Sequence, residues 1–124
     1  MDDEESILDS FGKLLKLNGY VVYTAGNGEQ AVDLYRGALS SKRKVDVAVI
    51  DLSIPNGMCG LETIARLKEI DPDVRAIATT GHFQDGLAFE YKKHGFFMFL
   101  PKPYVLEELL NAIDGVIRME KDFP

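Results

Sequence analysis

The chain has 124 residues, of which 27% are charged, and a formal net charge of −6. This length fits one domain, residues 1–124, that can bury a core without disulfides or a structural metal. The single cysteine, Cys59, excludes an internal disulfide and has no companions for a zinc site. The acidic balance argues against direct contact with nucleic acid, because such contact depends on basic surface that neutralises phosphates.

The location of the protein is predicted from its apolar runs and its first residues. The chain contains no run of about 18 apolar residues, the length that suggests a membrane-spanning helix. Its opening, "MDDEES", is acidic, whereas a signal peptide begins with basic residues. We therefore expect a cytoplasmic domain that makes no contact with a membrane.

Helical and strand-like patterns alternate along the chain. Asn27, with Gln30 three residues later, forms a capping-box pattern at the start of one helix. The nearly continuous apolar run "VDVAVI" suits a strand that is buried on both faces. Gly86 weakens the fourth helix, because glycine lowers helix propensity. In chain order, the predicted elements are helix 4–19, strand 20–25, helix 27–39, strand 45–50, helix 60–70, strand 74–80, helix 84–95, strand 96–100 and helix 104–119.

This alternation predicts a parallel sheet with helices on both faces and right-handed crossovers. In such a sheet, functional side chains collect at the carboxyl ends of the strands. Asp51 and Thr80 end two successive predicted strands, and Lys102 follows the last strand. Asp2 and Asp3 lie where a strand before the first helix would end. The sequence therefore predicts carboxylates, a hydroxyl and an ammonium at one edge of the sheet.

These groups suit the transfer of a phosphoryl group. Crowded carboxylates repel one another unless a cation relieves them, and Mg²⁺ prefers oxygen ligands such as carboxylates and phosphates. Lys102 and Thr80 can each donate to a phosphoryl oxygen. Asp51 can then attack phosphorus as a nucleophile and become an aspartyl phosphate.

Four stretches, in their order and spacing, resemble the response-regulator receiver domain of two-component signalling. They are "DD" followed by Glu4, "IDLSIPNGMCGLE" around Asp51, "TTG" at the end of the next strand, and "KP" after the last strand. Any one of them is weak, but four in register are specific. The resemblance extends from Met1 to about Met119. It implies a flavodoxin-like, doubly wound parallel sheet of order 2-1-3-4-5 with five helices.

The resemblance also assigns roles around the acceptor. Asp51 would be the phosphoacceptor. Asp3 would bind Mg²⁺ directly, Asp2 would act mainly through metal-bound water, and the backbone carbonyl of Ser53 would complete the protein ligands. Ser53 and His82 would flank the route of the attacking water and modulate autodephosphorylation.

Further roles fall on the last two strands. By the same resemblance, Thr80 would be the switch hydroxyl, Lys102 the conserved-role lysine and Phe99 the aromatic switch. The Lys102–Pro103 bond is expected to be cis.

Several simpler interpretations stay open. Thr79 could be the switch hydroxyl if the alignment slips by one residue, and Phe99 is as easily a core residue. His82 could be an exposed loop residue. Asp2 and Asp3 also favour the positive end of the first helix. A receiver-like module that binds proteins without being phosphorylated remains the alternative function.

The resemblance implies partners and settings. The donor would be a histidine kinase or a histidine phosphotransfer domain, and a downstream protein would bind the face formed by the fourth helix, fifth strand and fifth helix. The domain would act as an enzyme only on itself. "GHF", "PKPY" and "LEELLNAI" resemble C-terminal receivers of hybrid sensor histidine kinases. A free-standing regulator and a receiver of a DNA-binding regulator remain possible.

One departure concerns the opening strand of the family, because Met1 directly precedes Asp2. That strand is central in the sheet order 2-1-3-4-5, so its loss would leave both neighbouring strands unpaired. We expect upstream residues of a longer protein, in preference to another chain, to fill that position. A second departure is Pro101, which lacks a ladder donor and should therefore lie on an edge strand.

Overall fold

The computed structural model of the protein describes residues 1–54, 57–81 and 90–119. These residues form four helices and three strands. The helices are α1 (Glu5–Leu17), α2 (Gly28–Ser40), α3 (Gly60–Ile70) and α4 (Leu106–Arg118), and the strands are β1 (Ala48–Asp51), β2 (Ala76–Thr80) and β3 (Met98–Pro101).

The three strands form one parallel sheet in the order β1-β2-β3. Its register places Asp51 opposite Thr79, and Thr80 opposite Pro101. All five residues of β2 are buried, as expected for a strand covered on both faces. The prediction that Pro101 lies on an edge strand is confirmed, because β3 ends the described sheet.

Helices cover both faces of the sheet, and each face has its own apolar core. On one face, residues of α2 and α3 pack against the sheet; this cluster consists of Val32, Tyr35, Ile50, Ile64, Leu67, Val74, Ala76, Ala78 and Phe96. On the other face, α4 packs against the sheet through Ile77, Leu100, Leu109, Ala112, Ile113 and Val116, with Phe11 and Leu15 of α1 beside them. The fold is therefore α/β with helices on both sides of a parallel sheet.

Local hydrogen bonds explain where α2 begins and how it is held. The Asn27 side chain accepts from the Gln30 N–H at 2.9 Å, and the Gln30 side chain accepts from the Gly26 N–H at 2.8 Å. This arrangement fixes the helix start that the sequence predicted. Further along, the buried Tyr35 hydroxyl donates to Asp71, just after α3, at 2.6 Å. This bond ties α2 to the end of α3.

Arg75, just before β2, holds the carboxyl end of α4. Its Nη1 donates to the carbonyl oxygens of Val116, Ile117 and Met119 at 2.7, 3.1 and 2.7 Å. Carbonyl groups at the end of a helix lack partners within the helix, so the guanidinium satisfies them. The guanidinium carbon also lies 5.6 Å from the centre of the Phe97 ring.

Two predicted elements differ from the structure. The predicted strand 20–25 does not belong to the described sheet, and Val21 is 84% exposed. The reason is the absence of a neighbour, because a strand forms only when a second strand satisfies its backbone groups. Most of the predicted helix 84–95 lies outside the described residues, and its described end, residues 90–95, forms a bend and turns. None of the described helices combines the length and apolar character needed to cross a membrane.

Candidate functional site

Asp51 ends β1 and is almost completely buried, with 1% of its surface exposed. Its Oδ1 accepts from the Ser53 N–H at 2.9 Å and from the Ser53 hydroxyl at 2.7 Å. Its Oδ2 accepts from Lys102 Nζ at 3.0 Å. The structure therefore places Asp51 at the carboxyl end of the sheet, as the sequence predicts, with both carboxylate oxygens held by hydrogen bonds.

Lys102 reaches this edge because it directly follows β3. Its backbone N–H donates to the Thr80 carbonyl at 3.0 Å, which continues the pairing of β3 with β2 by one residue. Its Nζ lies 2.7 Å from Asp2 Oδ2 and 3.0 Å from Asp51 Oδ2. Burial would lower the pKa of the Lys102 ammonium, but its hydrogen bonds to the two carboxylates outweigh burial and raise the pKa above its ordinary value. Lys102 is therefore a fixed positive charge between two buried acids.

Asp2 and Asp3 enter the site just before α1. Asp2 is buried, and its Oδ1 accepts from the Glu4 N–H at 2.9 Å. Asp3 is exposed, yet Asp2, Asp3 and Asp51 each offer a carboxylate oxygen within 4.8 Å of the others. Three hard oxygen donors in this space, one of them open to solvent, fit the preference of Mg²⁺ for carboxylates and water. In their ionised forms, the three carboxylates carry more negative charge than the single positive charge of Lys102 can balance.

The other predicted site residues have varied surroundings. Thr80 and Thr79 are both buried, so burial does not choose between them as the switch hydroxyl. Phe99 is partly buried, packs against the core on the α2 and α3 face, and its ring centre lies 6.3 Å from that of Tyr91. The Lys102–Pro103 bond is cis, as predicted. His82 lies outside the described residues.

Sequence reasoning missed several supports of the site. The Glu29 carboxylate accepts from the Met58 N–H at 3.2 Å, which ties the start of α2 to the loop after Asp51. A Cβ on Gly60 would lie 2.9 Å from the Asp51 carbonyl oxygen, so only glycine lets α3 begin this close to β1. Burial, followed by the charge of Asp2, raises the pKa of the Tyr104 phenol. Of these supports, only the glycines near Asp51, Gly57 and Gly60, could be recognised in the sequence. Contacts between side chains of different elements could not.

Comparison with known proteins identifies the family. The family model for the response regulator receiver domain matches residues 1–114. Sporulation initiation phosphotransferase F of Bacillus subtilis is 30% identical over 122 residues, which cover 98% of this chain and 94% of that protein. The chain belongs to the response regulator receiver domain family. It is thus a receiver domain of two-component signalling.

Two further relatives describe its fold and setting. The response regulator receiver domain protein of Clostridium thermocellum is 29% identical with a TM-score of 0.81, over 94% of this chain and 89% of that one. This likeness confirms the predicted flavodoxin-like class. Sensor kinase CckA of Brucella abortus is 26% identical over 120 residues, 97% of this chain but only 12% of that protein. The chain therefore also resembles a small part of a much longer kinase.

Proposed function

We propose that the domain accepts a phosphoryl group on Asp51 from a phosphohistidine of a histidine kinase or a histidine phosphotransfer domain. One observation carries this proposal: buried Asp51 shares Lys102 with Asp2 at 3.0 and 2.7 Å, beside the exposed carboxylate of Asp3. A merely structural ion pair would not need a third acid that is open to solvent. A site for phosphoryl transfer would, because a solvated cation enters there.

The chemistry follows from the charges around Asp51. A carboxylate oxygen of Asp51 attacks phosphorus, the new oxygen–phosphorus bond forms, the nitrogen–phosphorus bond breaks, and the imidazole leaves with its electron pair. Lys102 Nζ already donates to Oδ2 at 3.0 Å, so it lies close enough to stabilise the added negative charge. The Ser53 N–H and hydroxyl restrict rotation of the carboxylate by holding Oδ1.

A cation would be held by the carboxylates of Asp2, Asp3 and Asp51, and by the Ser53 carbonyl in the role that the family implies. When bound, Mg²⁺ would neutralise charge on the transferring phosphoryl group. Asp3 is the ligand most open to solvent, whereas Asp2 is buried and already hydrogen-bonded to Lys102. This difference supports a direct role for Asp3 and an indirect one for Asp2.

Phosphorylation would change the surface through Thr80 and Lys102. A phosphoryl group adds a charge of roughly −1.5 to −2 and new acceptor oxygens, so it would draw both side chains toward Asp51. The Lys102 N–H already bonds the Thr80 carbonyl, so the ends of β2 and β3 would respond together. Phe99, together with the face that the family implies for the predicted fourth helix, the last strand and the last helix, would then bind a downstream protein.

The domain would act as an enzyme only on itself, through phosphorylation and autodephosphorylation modulated by Ser53 and His82. The likeness to part of sensor kinase CckA supports a setting within a hybrid histidine kinase. Magnesium dependence, the aspartyl phosphate and a cytoplasmic location belong to this same proposal.

The test is intact-mass analysis after treatment with Mg²⁺ and acetyl phosphate. We expect the chain to gain one phosphoryl group, and Asp51→Asn to gain none. Asp46→Asn is the matched control, because Asp46 is exposed just before β1 and the substitution removes the same charge. It should be phosphorylated like the unchanged chain.

Acetyl phosphate alone does not decide the donor. If the folded chain gains nothing from it, a phosphorylated histidine phosphotransfer domain is the second donor. Failure with both donors would contradict the proposal and favour the alternative, a receiver-like module that binds its partner without phosphorylation.

A further inference from the structure

The start of α2 packs directly on the segment that leads from the site into α3. We call this segment, residues 57–60, the return segment. A Cβ on Gly28, the first residue of α2, would lie 2.8 Å from both the Cβ and the carbonyl oxygen of Met58. A side chain at this position would therefore push α2 away from the return segment. At its other end, the return segment meets β1, because Gly60 lies against the Asp51 carbonyl.

Glu29 adds a charged contact to this packing. Its Oε1 and Oε2 accept from the Met58 N–H at 3.2 and 3.4 Å, so the two oxygens share one donor. A Cβ on Gly57 would lie 3.4 Å from Glu29 Oε2, so the carboxylate also lies beside the Gly57 backbone. The side chain of Glu29 thus reaches from α2 to two successive residues of the return segment.

Glu29 also has a role within its own helix. An acid in the first turn favours the positive end of a helix, and Glu29 is that acid in α2, as Glu62 is in α3. Glu62 forms an ion pair at 3.9 Å with Arg66 of the same helix, whereas Glu29 bonds to the backbone of another element. Of these two glutamates, the described contacts join only Glu29 to the return segment.

The return segment matters for the site because Asp51 is held by residues on both sides of it. The Ser53 N–H and hydroxyl bond Asp51 Oδ1, and Gly60 packs on the Asp51 carbonyl. Without Glu29, the Met58 N–H would exchange a charged acceptor for water. The Ser53 carbonyl, in the role that the family implies, would then be less fixed relative to the Asp51 carboxylate. Such a change weakens Mg²⁺ binding, because Mg²⁺ demands nearly ideal octahedral geometry.

We propose that Glu29 is a positioning residue of the phosphoacceptor site: its bond to the Met58 N–H holds the return segment in the arrangement that binds Mg²⁺. Glu29 acts through the hydrogen bond, so a neutral acceptor can replace its carboxylate. This inference rests on the proposed function, because it concerns the same site. The two fail separately, because the mass of the chain tests transfer to Asp51, whereas the role of Glu29 is measured without any phosphodonor.

The test compares Glu29→Met and Glu29→Gln in the 124-residue chain. Methionine removes the carboxylate, whereas glutamine keeps one oxygen as an acceptor and removes only the charge. We expect the dissociation constant for Mg²⁺, followed by the amide chemical shift of Asp51, to rise about fivefold in Glu29→Met and less than about twofold in Glu29→Gln. Hydrogen exchange at the Met58 and Ser53 N–H groups should become at least about threefold faster in Glu29→Met.

Glu62→Met is the matched control, because it removes the first-turn glutamate of α3 and leaves the bond from Met58 to Glu29 in place. Glu29 and Glu62 are both exposed, so their variants should fold. The affinity of Glu62→Met for Mg²⁺ should equal that of the unchanged chain.

Four results would overturn the proposal. Equal weakening of Mg²⁺ binding in Glu29→Gln and Glu29→Met would show that the charge acts without the hydrogen bond. Equal weakening in Glu62→Met would assign the effect to first-turn acids in general. Unchanged Mg²⁺ affinity in Glu29→Met, even with faster exchange at Met58, would confine the bond to local support of the return segment. If the unchanged chain binds no Mg²⁺, the proposal fails whatever the mass measurement gives.

Discussion

The ion pairs of Lys102 allow a quantitative prediction for Lys102→Met. This substitution keeps an unbranched side chain but removes the ammonium from between Asp2 and Asp51, which are 4% and 1% exposed. At an effective dielectric constant near 20, each contact at 2.7 and 3.0 Å represents about 6 kcal/mol of attraction, most of it offset by desolvation. Removal of one partner from a buried ion pair typically costs about 3–5 kcal/mol.

We expect this cost for Lys102→Met, so its free energy of unfolding in EDTA at pH 7 should be about 3–5 kcal/mol lower than that of the unchanged chain. For a denaturant slope of about 2 kcal/mol/M, this loss corresponds to a urea midpoint that is lower by about 2 M.

Mg²⁺ should restore part of the stability that Lys102→Met loses. A cation that binds the folded state at 100 times its dissociation constant stabilises it by about 2.7 kcal/mol. The variant should gain more from Mg²⁺ than the unchanged chain, because a cation then relieves carboxylates that have no ammonium beside them. Urea unfolding at pH 7, once in EDTA and once in Mg²⁺, measures both effects.

Lys13→Met is the matched control, because Lys13 is exposed on α1 and the change in charge is the same. A loss below about 1 kcal/mol for Lys102→Met in EDTA, or a loss equal to that of the control, would refute the reasoning, because surface charges contribute at most about that much. Equal stabilisation of variant and unchanged chain by Mg²⁺ would refute the shared role of the ammonium and the cation.

Three further perturbations test other parts of the structure. Gly60→Ala should cost about 1–3 kcal/mol, because its Cβ meets the Asp51 carbonyl at 2.9 Å, and should weaken Mg²⁺ binding. Tyr35→Phe should cost about 1.5–3 kcal/mol by removing the 2.6 Å hydrogen bond to Asp71. Burial lowers the pKa of the Met1 α-amino group from its ordinary 8.0 to about 6. The unfolded chain binds this proton more readily than the folded chain does. The free energy of unfolding should therefore be highest above pH 8 and should fall by about 3 kcal/mol as the pH decreases from 8 to 6.

Each of these has its own comparison by urea unfolding. Gly37→Ala, where a Cβ meets nothing within 4 Å, should be neutral or stabilising, and equal costs at Gly37 and Gly60 would contradict the steric argument. Tyr23→Phe, at a half-exposed ring, should cost far less than Tyr35→Phe. Acetylation of Met1 should abolish the part of the stability loss between pH 8 and 6 that the α-amino group causes. If the acetylated chain loses as much stability as the unchanged chain, the α-amino group is not the cause.

Patterns within one element predicted much of the fold. The helical periodicity and the capping pair at Asn27 gave α2 with nearly its observed bounds. The apolar run that ends in Asp51 gave a strand that delivers a buried carboxylate. These signals are local, because each depends on residues within one or two turns or strands. They therefore do not depend on what lies elsewhere in the chain.

The sequence predicted which side chains meet at the edge of the sheet, but the individual contacts between distant residues escaped prediction. The segment 20–25 has the composition of a strand but lacks a neighbour to pair with, so its propensity alone did not make it one. The contact of Lys102 with Asp2 joins residues 100 positions apart, and the Ser53 hydroxyl on Asp51 depends on a side-chain rotamer. No spacing rule reports either, because both arise only when the loops at the sheet edge come together.

The guanidinium of Arg75 holds the carboxyl end of α4. Its three bonds pin the helix at Val116 to Met119, whereas the other end begins at Leu106, four residues after Lys102. A displacement of Lys102 would therefore reach α4 at its amino end, which is the end that Arg75 does not hold. Because the carboxyl end is held, α4 would tilt on the sheet and would not slide along it. A small movement beside Asp51 would thus change the angle between α4 and the sheet.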